Sequence, residues 1–166
     1  MHDKLGIYLQ KKRINEVIKC LNGNVIDIGC GNNNLISKYK KQNKNQNSYG
    51  VDVYPWKGVD YLVKNSHDLP FQESFFDCCT ILASLNHIIE RDKVLLEANR
   101  IVKRGGKLVI TMINPIVGRI WHYLRSKHDT DQIERGMLPG ELYGLNKIQI
   151  LKISNKSNFR LINHKT

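Results

Sequence analysis

Val25-Ile26-Asp27-Ile28-Gly29-Cys30-Gly31-Asn32-Asn33-Asn34 passes from a short apolar run into a glycine-bearing polar stretch, after which Leu35, Ile36 and Tyr39 restart a helical period. The pattern reads as strand, tight turn, helix. At the carboxyl edge of an open α/β sheet, glycines in such a turn let a ligand approach the backbone. Two details narrow the ligand. Asn34 stands where a dinucleotide fingerprint has its third glycine, and an acid, Asp27, precedes the first glycine by two residues. A helix N-terminus holding a pyrophosphate disfavours a nearby anion, whereas a carboxylate suits a ligand bearing an ammonium group. Asp52 lies 21 residues after Gly31, near the end of the strand-like run Tyr49-Gly50-Val51-Asp52-Val53. A carboxylate there can accept hydrogen bonds from both hydroxyls of a ribose. NAD is therefore disfavoured.

Working outward, Leu5, Tyr8, Leu9, Ile14, Val17, Ile18 and Leu21 recur at helical spacing, which predicts an amphipathic helix ending near Asn22-Gly23. Val59 to Val63 reads as an edge strand. Phe75-Phe76-Asp77-Cys78-Cys79-Thr80-Ile81-Leu82 is an almost continuous apolar run of the kind that suits a strand buried on both faces. Val94, Ala98, Ile101 and Val102 form a helical stripe closed by Arg104-Gly105-Gly106, with Gly105 expected as a left-handed cap, and a strand is expected over Lys107 to Met112. Strands alternating with helices predict an α/β fold, a Rossmann-like, doubly wound and mostly parallel sheet. From Asn114 to Gly144 the pattern breaks, which predicts an irregular insertion after strand five, and irregular insertions of this length are usually functional. Leu145, Ile148 and Leu151 predict one more helix, ended by Asn158 in a left-handed conformation, before a last strand beginning at Phe159-Arg160-Leu161-Ile162.

The chain has 166 residues, a length that predicts one domain. Its 41% hydrophobic and 25% charged residues exclude a disordered or collagen-like chain. No apolar run reaches the length of a membrane span, and the start Met1-His2-Asp3-Lys4 lacks the apolar stretch of a signal peptide, so the expected compartment is the cytoplasm. Cys20, Cys30, Cys78 and Cys79 form no CxxC pair and have no histidine at ligand spacing, so reduced thiols and no metal site are expected. The balance of 26 basic against 15 acidic residues gives a net charge of +11, which attracts anions. The lysine clusters lack arginine-rich tracts and interleaved aromatics, and they read as solvated helix faces in preference to a nucleic-acid interface.

Four stretches in this order resemble the class I S-adenosylmethionine-dependent methyltransferases, specifically the small type 11-like branch that includes ubiquinone and menaquinone biosynthesis methyltransferases. They are Val25 to Gly31, Gly50-Val51-Asp52-Val53, His67-Asp68-Leu69-Pro70-Phe71 with Phe75-Phe76-Asp77, and Leu96 through Arg104-Gly105-Gly106-Lys107-Leu108. The resemblance implies the cofactor S-adenosyl-L-methionine. It implies that Asp27, Gly29, Cys30 and Gly31 form the turn holding the methionine moiety and that Asp52 holds the ribose. Val53 would meet one adenine face, Asp68 with Leu69 the adenine ring and its amino group, and Leu82 with Ala83 would line the methyl pocket. Asp68 has a competing reading as a helix N-cap two residues before Pro70. The implied layout is an N-terminal helix over 1–23, a cofactor-binding core over 24–112, an acceptor or lid insertion over 113–145 and a last helix and strand over 146–166. A family sheet has seven strands, so a chain with room for six is expected to be a truncated product, a homodimer completing the sheet, or a rearranged edge.

Methyl transfer from a sulfonium needs alignment more than acid or base help. For a hydroxyl acceptor, His87 and His128 are the expected catalytic residues, with His122 and Glu134 as further candidates, because imidazole titrates near neutrality. The aromatic and charged stretch from Trp121 to Tyr143, with Arg135 able to pair an acidic group, predicts a small-molecule or glycan-type acceptor. An RNA or other nucleic-acid methyltransferase, and a module that holds the cofactor without turnover, are the alternative expectations.

Overall fold

The computed structural model describes residues 4–44, 47–125 and 144–163; for Lys4, Leu5, Arg119, Trp121, His122, Leu124 and Arg125 the backbone alone is described. The apolar runs become strands β1 (Val25–Ile28), β2 (Tyr49–Asp52), β3 (Tyr61–Leu62), β4 (Phe76–Leu82) and β5 (Val102–Thr111). They form one sheet in the order β3-β2-β1-β4-β5, and all four pairings are parallel. The helices are α1 (Lys4–Ile18), α2 (Asn34–Asn43), α3 (Arg91–Ile101), α4 (Pro115–Arg125) and α5 (Lys147–Lys156), with a 3₁₀ turn at Leu85–His87. The α/β, doubly wound class expected from the sequence is therefore the observed one.

Strand alternation sorts the core into two layers. Ile26, Ile28, Cys79 and Ile81 point to the face covered by Val94, Leu95, Ala98 and Ile101 of α3, against which Ile150 and Ile153 of α5 also pack. Val25 and Cys78 point the other way, onto Ile36 and Tyr39 of α2, while Ile14 and Val17 of α1 close over Leu35. The chain order reverses between β1 and β4, so the crevice at their carboxyl ends is the switch point where open α/β sheets bind ligands.

The observed elements correct the sequence reading at several places. Helix α1 stops at Ile18 instead of reaching Leu21, and the chain turns at Cys20 on a bond from its N–H to the Val17 carbonyl. Gly105 is left-handed (φ 79°) but caps no helix. Helix α3 ends at Val102 in an extended conformation, Val102 pairs with Phe76, and Lys107 pairs with Cys78, so Gly105 lies in a bulge inside β5. Asn114 to Arg125 is not irregular. Asn114 accepts a hydrogen bond from the Ile116 N–H (2.9 Å) and Pro115 opens α4, because proline at a first helical position forfeits no bond. The strand expected at Phe159 does not form: 159–163 pair with no strand, Phe159 packs on the core, and Ile162 stands exposed. Asn158 is left-handed (φ 60°), as expected of the helix end. Among the described residues no helix is long and apolar enough to cross a membrane, no group of His, Cys, Asp or Glu side chains could hold a metal, and all four cysteines are free.

Candidate active site

Register across β1 and β4 sets Asp27 opposite Thr80, and register across β1 and β2 sets it opposite Gly50. Asp27 is 2% exposed and accepts one hydrogen bond, from the Thr80 hydroxyl at 2.6 Å. Burial drives its pKa up to about 7, the Thr80 bond opposes the rise, and the charge of Asp52 adds to it. No basic side chain among the described residues offsets that charge. Such a carboxyl favours either a proton or a cationic ligand.

Beyond it the chain turns through Gly29 (φ 73°) and Gly31 (φ 53°), both left-handed. The two glycines serve different ends. A Cβ on Gly29 would lie 2.6 Å from the Ser84 Cβ, so this glycine allows β1 to pack against the loop after β4, where the Ser84 hydroxyl donates to the Ile28 carbonyl at 3.0 Å. A Cβ on Gly31 would meet nothing within 4 Å, so here the backbone borders open space. Asp52, which ends β2, accepts from the N–H of Gly31 (2.9 Å) on one oxygen and from the N–H of Tyr54 (3.0 Å) on the other. Its carboxylate is thereby fixed at the rim of that space. Cys30, between the glycines, is half-buried, and burial first, then Asp27, Asp52 and Asp60, push its thiol pKa far up, so it stays protonated.

Past Asp52, Val53 is 54% exposed and Tyr54 stacks obliquely on Trp56, with ring centroids 4.7 Å apart. Asp68 is exposed, and no helix follows Pro70, so the helix-cap reading of Asp68 fails. Leu69 is turned inward: its side chain joins the core and its N–H donates to Glu97 at 2.9 Å. Leu82 shares the face of Thr80 and packs with Ile14, Val17 and Leu35 beneath α1, whereas Ala83 adopts a left-handed backbone (φ 52°) and donates to the Thr111 carbonyl. His87, on the 3₁₀ turn after β4, has Nε2 3.1 Å from the Asn86 amide nitrogen, which as a donor fixes Nε2 as the acceptor. His128, Glu134 and Arg135 lie outside the described residues, and His122 is described only as backbone of α4. The structure thus brings Asp27, Gly29, Cys30, Gly31, Asp52 and Val53 to one edge, with Ala83 following β4 there.

Sequence reasoning missed Thr80, Ser84, Tyr54 and Trp56. A lone threonine inside the apolar run of β4 was the signal for Thr80; nothing local marked Ser84.

These residues fit S-adenosylmethionine: an uncompensated buried carboxylate for an ammonium group, open space before Gly31, and a fixed carboxylate for a ribose. Sheet order, glycine turn and paired acids together define the Rossmann-like, S-adenosylmethionine-dependent methyltransferase class. Residues 26–110 match the methyltransferase domain family, and the chain belongs to that family. It is 28% identical to the ubiquinone/menaquinone biosynthesis C-methyltransferase UbiE of Vibrio cholerae, over 52% of this chain and 39% of that relative. Against the UbiE protein of Rickettsia prowazekii it is 26% identical, over 66% of this chain and 53% of the other. The chain therefore spans about half or less of the length of these curated relatives. Among solved structures, an Aquifex aeolicus SAM-dependent methyltransferase matches with a TM-score of 0.63 and 18% identity, over 90% of this chain and 81% of that one. Haemonchus contortus phosphoethanolamine N-methyltransferase 2 in complex with S-adenosyl-L-methionine matches with a TM-score of 0.64 and 19% identity, over 89% of this chain and 36% of that one. Both are likenesses of fold.

Proposed function

We propose that this chain is the cofactor-binding and catalytic domain of an S-adenosylmethionine-dependent methyltransferase acting on a small-molecule or glycan-type acceptor. The observation that carries the reading is Asp27, a buried carboxyl with no cationic partner among the described residues, beneath a glycine turn whose open side faces the rim held by Asp52. When bound, S-adenosylmethionine supplies a methyl group already activated by the positive sulfonium. Asp27 opposes the ammonium charge, the backbone of Gly29, Cys30 and Gly31 admits the methionine moiety, and Asp52 takes the ribose hydroxyls on lone pairs its two backbone bonds leave free. Val53 gives an apolar face to the adenine, with Asp68 at its far side, and Ala83 borders the methyl.

Leu69 supports the pocket from within the core, and Leu82, half-buried, from beneath α1. The main catalytic contribution is alignment of acceptor and methyl, worth roughly 7–11 kcal/mol when both are held in line. His87 and His128 are the proposed acid–base residues for a hydroxyl acceptor. In this reading the acceptor region is 113–145, as the family resemblance implies, and the 80% exposed Tyr123 of α4 supports it, as a ring able to stack on a sugar or other polar small molecule. Free thiols fit a reducing, cytoplasmic setting.

Calorimetric titration with S-adenosylmethionine, S-adenosylhomocysteine and NAD tests the cofactor. The first two are expected to bind and raise Tm, and NAD is not. Folded protein that binds neither nucleoside refutes the reading. Incubation with a methyl-labelled donor and separated small-molecule and RNA fractions tests the acceptor. Label is expected in the small-molecule fraction; label confined to RNA overturns the acceptor class and leaves the cofactor assignment standing.

A further inference from the structure

We infer that Asn33, acting with Asp60, is a positioning residue that clamps the loop after β2 onto the glycine turn and so sets the gap in which the nucleoside end of the cofactor is held. This rests on the cofactor reading above.

Asn33 stands at the N-cap position of α2, where an asparagine oxygen ordinarily accepts a hydrogen bond from the first turn of the helix. Here it makes no such bond. Its backbone is left-handed (φ 54°, ψ 32°), a conformation in which only glycine is free of steric cost. Its side chain is buried, with the residue 3% exposed, and its Oδ1 has no hydrogen-bond partner among the described residues. A glycine at this position would leave the helix equally uncapped but would incur neither the left-handed strain nor the buried unpaired oxygen. Local rules broken together at one residue beside a ligand-binding turn point to a functional constraint.

The amide nitrogen shows what the arrangement gains. Asn33 Nδ2 donates to the carbonyl of Gly58 at 2.8 Å and to Asp60 Oδ2 at 2.8 Å. That same Asp60 oxygen accepts from the Gly50 N–H at 2.8 Å, and the Asp60 N–H donates back to the Gly50 carbonyl at 3.0 Å. Lys40 of α2 approaches the other Asp60 oxygen at 3.5 Å. Gly50 makes room for the carboxamide: a Cβ there would fall 2.1 Å from Asn33 Oδ1. Gly58, left-handed at φ 92°, carries the loop over Asn32 and Asn33. Residues 53–58 include the exposed Val53 and the Tyr54–Trp56 pair, and this loop is tied to the glycine turn by Asp52 at one end and by the Asn33 amide at the other. The amide donor therefore fixes how far the loop stands from Gly31.

The test exploits opposite signs. Asn33→Gly removes the left-handed strain and the buried unpaired oxygen together with the clamp, so the free protein is expected to keep or raise its Tm. Its Kd for S-adenosylhomocysteine is expected to rise roughly tenfold or more as preorganisation is lost. Because the clamp acts at the nucleoside end, 5′-deoxy-5′-methylthioadenosine should lose affinity by a similar factor. Asn33→Asp keeps the size and the tolerance of a left-handed backbone but offers no donor to Gly58 or Asp60, and it should lose at least as much. A merely structural bond would instead lower Tm and leave Kd alone. An unchanged Kd in both variants, or a Tm loss without a Kd change, overturns the clamp. Failure of the wild-type protein to bind either nucleoside would overturn the cofactor reading itself, and the clamp with it.

Discussion

Asp27 makes the sharpest prediction, because its burial couples stability to pH with an unusual sign. The folded carboxyl titrates near 7 against an ordinary value of 3.8, so between those two values the native state holds a proton that the unfolded chain has released. Stability therefore falls as pH rises through this window, the reverse of the effect of a salt-bridged acid. At 1.36 kcal/mol per pH unit the gap is worth roughly 4 kcal/mol once the pH exceeds 7. Asp27→Asn removes the titration while keeping the shape and an oxygen for the Thr80 hydroxyl. The variant is expected to match the wild type near pH 4 and to become more stable as pH rises, by a few kcal/mol at pH 7.5, while losing S-adenosylhomocysteine binding. Urea unfolding followed by circular dichroism at pH 4.5, 6 and 7.5 measures the difference. A cationic ligand should also expel the proton from Asp27, so calorimetry at pH 6 in two buffers of different ionisation enthalpy should detect proton release on binding. A stability difference independent of pH, together with binding that releases no proton, would refute the reasoning.

The two turn glycines should separate by what surrounds them. Gly31→Ala carries only the left-handed backbone cost of about 1–2 kcal/mol, whereas Gly29→Ala adds about 1–3 kcal/mol for the contact with Ser84; unfolding curves that coincide would exclude that contact as the reason for Gly29. Asp52→Asn can accept at only one oxygen, leaving the Gly31 or Tyr54 N–H unpaired, and should weaken S-adenosylhomocysteine roughly 100-fold by calorimetry while lowering stability by about 1–3 kcal/mol. Burial alone would raise the pKa of Glu97, yet its bonds from Arg100 (2.6 and 2.8 Å) and the Leu69 N–H hold it below its ordinary value. Its stabilisation is therefore present above pH 4.5 and is lost as pH falls. Glu97→Ala should cost roughly 2–3 kcal/mol at pH 7, and the cost should shrink toward pH 3 in the same unfolding assay.

Much of the fold was legible because β1, β2 and β4 are apolar runs bounded by polar turns, and burial on both faces leaves such runs few alternatives. The misreadings share a cause. The break expected from Asn114 onward opens on a helix instead, because a proline preceded by Asn114 is a helix start, and Gly118 is buried inside α4. Gly105 looked like a helix cap because the sequence could not reveal that Val102 already pairs with Phe76, which converts the following residues into a bulge. Phe159 to Ile162 has strand propensity, and propensity forms no ladder without a partner strand; here Phe159 goes to the core and leaves its neighbours outside.

At the site, the acids and glycines were legible because each departs from its local context: an acid ending a buried strand, a glycine where a helix is about to begin. Partners fixed by register were not. Thr80 meets Asp27 from 53 residues away, and Ser84 meets Ile28 from 56, because of how β1 and β4 align. The same parity decides Leu82. Cys78, Thr80 and Leu82 alternate onto the face of α1 and α2, so the half-buried Leu82 packs beneath α1, and the next position turns the chain toward the crevice. Ala83 does so with a left-handed backbone at φ 52°, a conformation that disfavours a side chain larger than its methyl. A β-branched residue there would strain the turn that carries Ser84, and through Ser84 the contact that requires glycine at position 29. No local sequence signal joins Gly29 and Ala83; Ser84, which follows Ala83 in the chain and lies against Gly29, does.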